Sequence, residues 1–275
     1  MAPPKPPHPD DPVSEAEADW RIDLIGRIAK PLTGPPRAHP AGTVFALSTE
    51  FEPKHGRPPI TFLTPSVVAL GLGASIDAAA LATRHRGALD GCVIPSPGGG
   101  AFSVSNESLL FDYLGSAYQS AILAVQALEA FANRAIGFDP SFAFRGEGPA
   151  HLQRYGTLKK LTLILAKATG VKTPIPHHDR LKGLVALRND IIHPGADEQT
   201  GRRRAGDSSA AREALFPRLL VTPPATYPLV AYDVISHFSP KTPRWLELTA
   251  ARIEALRTEA RRACDPFPGV TIDLP

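Results

Sequence analysis

The chain has 275 residues, 43% of them hydrophobic, enough for one large domain or for a domain plus a sizeable extension around a packed core. Aromatic residues make up only 7% and alanine is abundant, a mix that suits closely packed helices better than a sheet sandwich. With 30 basic and 27 acidic side chains the formal charge is +3, which argues against the dense basic footprint of a protein that grips a long duplex and leaves RNA open as a substrate or partner.

Residues 1–12 are Pro-rich and polar and are expected to form an extended, disordered arm. Across the chain the 30 prolines, about twice the usual share, cluster in residues 2–12, 31–40, 53–65 and 217–228. They are sparse in the stretches that read as helix, where each would cost about 3 kcal/mol. The first 20 residues hold no apolar stretch resembling a signal peptide, and no run of 18 or more apolar residues occurs, so an intracellular, cytoplasmic chain without a membrane span is expected. Cys92 and Cys264 are too few and too far apart for a disulfide framework or a zinc pattern, and read as reduced and buried.

A short helix is expected over about 14–30, with Ser14 as its cap and Trp20, Ile22, Leu24, Ile25 and Ile28 as its apolar residues. The runs GTVFALSTEF, PPITFLTP and SVVALGLG then read as short strands separated by Pro and Gly, with a helical patch over about 75–86. PSPGGG at 95–100 is the best boundary. Beyond it Leu110, Leu114, Ala117, Ala121, Val125, Leu128 and Ala132 recur at threes and fours, one face of a long amphipathic helix from Ser108 to Ile136. Leu158, Leu161, Leu165 and Ala168 mark a second helix, with Gly170 where a C-cap glycine would sit. Leu181, Leu184, Val185, Leu187, Ile191 and Ile192 mark a third, stopped by Pro194-Gly195. Residues 196–213 are polar and read as a mobile loop. A last helix starts after Thr242, its cap, with Pro243 at the first helical position, and runs through Trp245, Leu248, Ile253 and Leu256.

The third helix ends in LRNDIIHPG, and this segment carries chemistry. Asn189 and His193, four apart, share a helix face. Arg188 lies about 140° round from His193. It must use its long stem to reach the same pocket, or the helix must loosen before Pro194, because a residue preceding proline is pushed from helical geometry. A histidine of near-neutral pKa can take the proton from a ribose 2′-hydroxyl. A guanidinium can hold the scissile phosphate with two hydrogen bonds and stabilise its developing charge. Asn189 can orient either the imidazole or the phosphate, and Asp190 can tune the histidine. These are parts for cutting RNA without a metal.

LRNDIIHPG resembles the signature of the HEPN superfamily, an Arg commonly followed by Asn, with a His four to six residues after the Arg. The segment from Ser120 to Asn133, with its embedded Glu129, resembles that family's long helix, and Leu158-Lys159-Lys160-Leu161 resembles the opening of the next one. The similarity covers about 108–195 and could extend to 262; it does not reach residues 1–105. It implies a helical bundle, commonly a dimer with two copies of the motif facing one cleft. By resemblance Arg188 is the phosphate ligand, His193 the base and Glu129 a supporting residue, with no cofactor and no metal. The tyrosine that some members carry two residues after the histidine, which a partner antitoxin modifies with adenylate, is Gly195 here.

Plainer readings stand beside these. Arg188, Asn189 and His193 can cap a helix end, with Glu129 as the partner of Arg188. His177-His178-Asp179 reads as a loop before a helix, with Asp179 suited to the helix dipole. Arg202-Arg203-Arg204 reads first as a solvated loop, and as a nucleic-acid contact if RNA binds. Gly71-Leu72-Gly73-Ala74-Ser75 lacks the third glycine and the setting of a nucleotide loop.

The fold class expected is mainly α: a disordered arm over 1–12, a small mixed α/β N-terminal extension with short strands over 13–105, a HEPN-like helical domain over 106–265 and a tail. The function expected is a metal-independent RNA endonuclease of bacterial stress response or phage defence, acting as a homodimer, with a regulatory protein as a further possible partner. The rival readings are a non-catalytic module that binds a nucleotide, RNA or protein, and an assembly subunit of a larger complex.

Overall fold

The short apolar runs near the N-terminus form hairpins. In the computed structural model, the residues described are 21, 24–27, 44–46, 48–51, 59–95, 102–171, 175–192, 208–239, 244–263, 265–267 and 274–275. The chain divides into two compact units, Met1–Leu70 and Gly71–Pro275. In the first, β1 (Leu24–Arg27) pairs antiparallel with β2 (Val44–Ala46), and β3 (Ser48–Phe51) with β4 (Ile60–Leu63), Phe51 opposite Ile60. The helix expected over about 14–30 is therefore corrected at 24–27, which is strand. The register of β1 breaks between Leu24 and Gly26, the kind of irregularity a glycine in a strand accommodates. Residues 14–20 lie outside the described residues, as does the arm over 1–12.

A second correction concerns SVVALGLG. It is not a strand but the start of α1 (Val67–Ala88), which runs back from the expected patch at 75–86. Two valines and two glycines are poor helix formers, yet packing decides. A Cβ added at Gly71 would sit 3.3 Å from the Ala127 Cβ of α2 (Glu107–Gly137). One turn on, Ser75 Oγ donates to the Ser120 carbonyl at 2.9 Å and Ser120 Oγ donates to the Ser75 carbonyl at 2.9 Å. Further along, Arg86 Nη1 donates to the Tyr113 hydroxyl at 2.7 Å, so α1 and α2 run antiparallel along a seam of small residues. By length and composition α1 is apolar enough to cross a membrane. Here Leu72, Ile76, Ala79 and Ala82 are buried within the protein and Ser75 and Arg86 make the polar contacts just described, which marks a core helix.

Between α1 and α2 lies a small hairpin, β5 (Val93–Pro95) with β6 (Phe102–Val104), which brackets the Gly-rich segment 96–101. Cys92, beside it, is half-buried and free, rather than buried as expected; Cys264 lies outside the described residues.

α2 is the axis of the second unit. Asn106 Oδ1 caps it by accepting from the Leu109 amide at 3.1 Å. The expected face is buried at Ala117, Ala121, Val125, Leu128 and Ala132, each large residue contributing about 1.5–3 kcal/mol of apolar burial. Around α2 pack α3 (Pro149–Leu152), α4 (Thr157–Lys159), a π-helical segment (Lys160–Ile164), α5 (Leu165–Thr169), α6 (His178–Ile192), α7 (Ser208–Val221) and α8 (Thr226–Phe238). Gly170 ends α5 at φ 70, as a left-handed C-cap should. α7 begins inside the stretch 196–213 expected to be a loop, and it carries Pro217 in its body. α9 (Arg244–Arg262) packs on α8, with Trp245, Ile253 and Leu256 buried and Leu248 exposed.

The C-terminal end is pinned to this core. Arg86, nearly fully buried, gives Nη2 to Asp265 at 2.7 Å and lies 4.9 Å from the Phe267 ring centroid. Tyr113 in turn donates to the Leu219 carbonyl at 2.6 Å.

Candidate functional site

α6 places its apolar residues Leu181, Leu184, Val185, Leu187 and Ile191 in the core, and this leaves Arg188, Asn189 and Asp190 on its outer side near its C-terminal end. Asp179 falls in its first turn, as the helix dipole favours. Arg188 is partly covered, with 26% of its side chain exposed, and its Nη2 lies 3.5 Å from Glu129 Oε2 across the groove to α2. Its Nη1 donates to Asn189 Oδ1 at 3.1 Å. The pairing of Glu129 with Arg188 considered in the sequence is thus present.

Glu129 has a second cation. Lys160, at the start of the π-helical segment, is 0% exposed. Its Nζ donates to Glu129 Oε1 at 3.0 Å, to Asn133 Oδ1 at 2.8 Å and to the Gln153 carbonyl at 3.2 Å, so each of its three protons has an acceptor. Gln153 closes the set by donating from Nε2 to the Asn133 carbonyl at 3.0 Å. A buried ammonium is tolerated only when satisfied in this way. The chain Lys160–Glu129–Arg188–Asn189 therefore runs from the core to the surface, joining the π-helical segment, α2 and α6. Sequence reasoning missed Lys160. The pattern held no signal for it: on a regular helix Lys160 lies roughly 120° from the stripe of Leu158, Leu161, Leu165 and Ala168.

Asp190, expected to tune His193, is engaged by Arg218 of α7, whose Nη1 meets its Oδ2 and whose Nη2 donates to the Gly183 carbonyl at 3.1 Å. His193, Arg202, Arg203 and Arg204 lie outside the described residues. Among the described site residues, then, Arg188, Asn189 and Glu129 come together, and Asp190 joins a separate pair.

Among the described residues, His177 is engaged by α8. At φ 53 it turns the chain into α6, its carbonyl accepts from the Leu181 amide at 2.8 Å, and its Nε2 lies 2.9 Å from Asp233 Oδ2 on α8. His178 Nδ1 is 3.4 Å from Asp179 Oδ1. No group of three or more His, Cys, Asp or Glu among the described residues is arranged to hold a metal ion.

Beside Arg218, a cavity of about 160 Å³ opens between α6, the end of α7 and α8. Thr226 and Tyr227 are among its lining residues; their hydroxyls are buried, and Thr222 lies against the Tyr227 phenol. Burial pushes the Tyr227 phenol well above its ordinary range, and pushes that of Tyr113 to about 12 against the opposing pull of Arg86. No protein-family model, curated protein or solved structure matches the chain, which leaves this geometry to bear on function by itself.

Proposed function

We propose that the chain is a HEPN-type helical protein that cleaves RNA without a metal, with Arg188 as phosphate ligand and His193 as general base. The observation that supports this best is a charge count. Glu129 is one carboxylate shared by two cations, Lys160 at 3.0 Å and Arg188 at 3.5 Å. The trio keeps one net positive charge, and Arg188 is the exposed end of it. A guanidinium held in place yet not neutralised is what binding a phosphodiester requires.

In this reading His193 takes the 2′-hydroxyl proton as the 2′-oxygen attacks phosphorus. The bond to the 5′-oxygen breaks, that oxygen takes up a proton, and the products carry a 2′,3′-cyclic phosphate and a 5′-hydroxyl. Arg188 holds the non-bridging oxygens, where charge accumulates. Asn189, bonded to Arg188, orients the guanidinium. A homodimer would bring two such motifs to one cleft, and the resemblance supports a role in cytoplasmic stress response or phage defence.

The test is incubation of purified protein with total RNA in excess EDTA, comparing wild type with His193→Ala and Arg188→Ala. The expected result is cleavage by wild type, cyclic-phosphate ends, and losses of about 10²-fold or more in each variant, the usual worth of a general base. Binding of RNA without cleavage, weakened by Arg188→Ala, would replace the nuclease with a binding module. Cleavage indifferent to His193→Ala would refute the assignment.

A further inference from the structure

We propose that the basic surface built on α3 to α6 is a binding face for single-stranded RNA that leads the strand to Arg188. The inference deepens the proposed function and rests on its reading of RNA as the ligand. Charge carries it. Residues 141–189 hold nine lysines and arginines against two acids, Glu147 and Asp179. This segment is therefore +7 in a chain whose total is +3, and the remaining residues sum to −4. The small net charge hides a divided chain, and a polyanion is drawn to one part of it.

The fold turns most of these cations outward on neighbouring elements. Lys160 is buried on Glu129, and Lys172 lies outside the described residues. Arg145, Arg154, Lys167 and Lys182 are exposed, and Lys159 and Arg188 are half-buried. Arg154 and Lys167 form no ion pair among the described residues. α4 packs against α6, and Lys160 and Arg188 reach Glu129 from these two sides, so the two ridges meet at the proposed phosphate ligand. Along the first ridge Lys159, Leu163 and Lys167 recur at fours and span about 12 Å. Leu163 is 50% exposed between the lysines, and Lys159 Nζ stands 3.3 Å from the centroid of the half-buried Tyr155 ring. Cations alternating with apolar and aromatic side chains suit a single strand, whose phosphates meet the former and whose unpaired bases meet the latter. The acids do not oppose this. Glu147 accepts from the Tyr155 hydroxyl at 2.6 Å with His151 3.6 Å away, and Asp179 stands in the first turn of α6, at the far end from Arg188. A duplex fits less well: readers of double-stranded RNA span about 16 base pairs and two successive minor grooves, while α6, with 15 residues, is about 22 Å long.

The probe is a fluorescein-labelled 2′-O-methyl oligouridine of about 12 nucleotides, titrated with the full chain and read by anisotropy. It lacks the 2′-hydroxyl that cleavage needs. A protein that binds this strand yet cuts no RNA therefore loses the nuclease reading and keeps this face. With about four phosphate contacts, log affinity should fall against log salt with a slope of about −3. A duplex of the same length should bind at least about tenfold more weakly, the loss of one stacked base. Arg154→Gln with Lys159→Gln and Lys167→Gln should weaken binding about tenfold or more at about 50 mM salt and flatten the slope to about −1. Arg84→Gln with Arg261→Gln and Arg262→Gln removes the same charge from exposed positions outside the segment. That triple should change affinity less than about threefold, because distant exposed charges are screened. Absence of saturable binding at tens of micromolar protein would leave the cations to an acidic protein or a membrane and overturns the proposal. So do equal losses in the two triples, or a duplex bound as tightly as the single strand.

Discussion

Replacing Lys160 by Met keeps the side chain's length and removes its charge, so the cost isolates the ammonium. The Nζ makes three hydrogen bonds, to Glu129, Asn133 and the Gln153 carbonyl, and the residue is fully buried. Hydrogen bonds to a charged group are worth about 1.5–3 kcal/mol each. Against their sum stands relief from burying a cation, itself several kcal/mol, and breaking a buried pair from one side typically costs about 3–5 kcal/mol. Glu129 is a third exposed and keeps Arg188, which lowers the figure. The net expectation is a loss of about 2–4 kcal/mol. For a unit of this size, 3 kcal/mol corresponds to a fall of about 6–12 °C in melting temperature. Urea unfolding is the assay: the midpoint should fall with the m-value unchanged. Lys159→Met is the control. That neighbour sits with its Nζ 3.3 Å from the Tyr155 ring centroid, a partly exposed contact whose loss should cost less than about 1 kcal/mol. A Lys160→Met protein as stable as wild type would refute the reasoning, since it would mean that desolvation of the ammonium cancels everything its three acceptors return.

Two further expectations follow from the core. Gly71→Leu puts a side chain where even a Cβ would lie 3.3 Å from Ala127, so it should destabilise by about 1–3 kcal/mol despite leucine's better helix propensity, measured by thermal unfolding. Tyr113 has its folded pKa raised to about 12 from 10.0, chiefly by burial. The unfolded chain therefore loses its proton first: the stabilisation is intact below pH 10 and drains away as pH rises from 10 towards 12. Tyr227 is shifted in the same direction, so Tyr113→Phe should shallow the alkaline decline in unfolding free energy without abolishing it.

The amphipathic elements were legible and the fully buried ones were not. α2, α6 and α9 each show one apolar stripe at a period of 3.6, and their bounds lie within a few residues of those read from the pattern. α8 was missed because Tyr227, Pro228, Leu229, Val230, Ala231, Val234 and Ile235 are buried on nearly every side, which erases the stripe. α7 was hidden by Pro217 and the polar residues ahead of it. The start of α1 was misread because valines and glycines look like strand and turn until the close seam with α2 explains them. At the site, spacing within LRNDIIHPG could place Arg188 near Asn189. It could not show that Glu129 is divided between Arg188 and a buried lysine, because that depends on three elements meeting in space.

The polar network separates into parts with different work to do. Its buried part, Lys160 with its three acceptors, carries stability. Its outer part does not. The Arg188–Glu129 pair and the Asp190–Arg218 pair are both partly exposed, and exposed ion pairs contribute about 0–1 kcal/mol. What they supply is orientation. Arg188 and Asp190 lie two residues apart, about 200° round the helix. They tie the last turns of α6 to α2 on one side and to α7 on the other, just before His193 in the sequence. Removing Arg188 should consequently leave the fold nearly as stable as before, and a loss of RNA binding or cleavage in Arg188→Ala could then be assigned to the guanidinium itself instead of to a weakened scaffold.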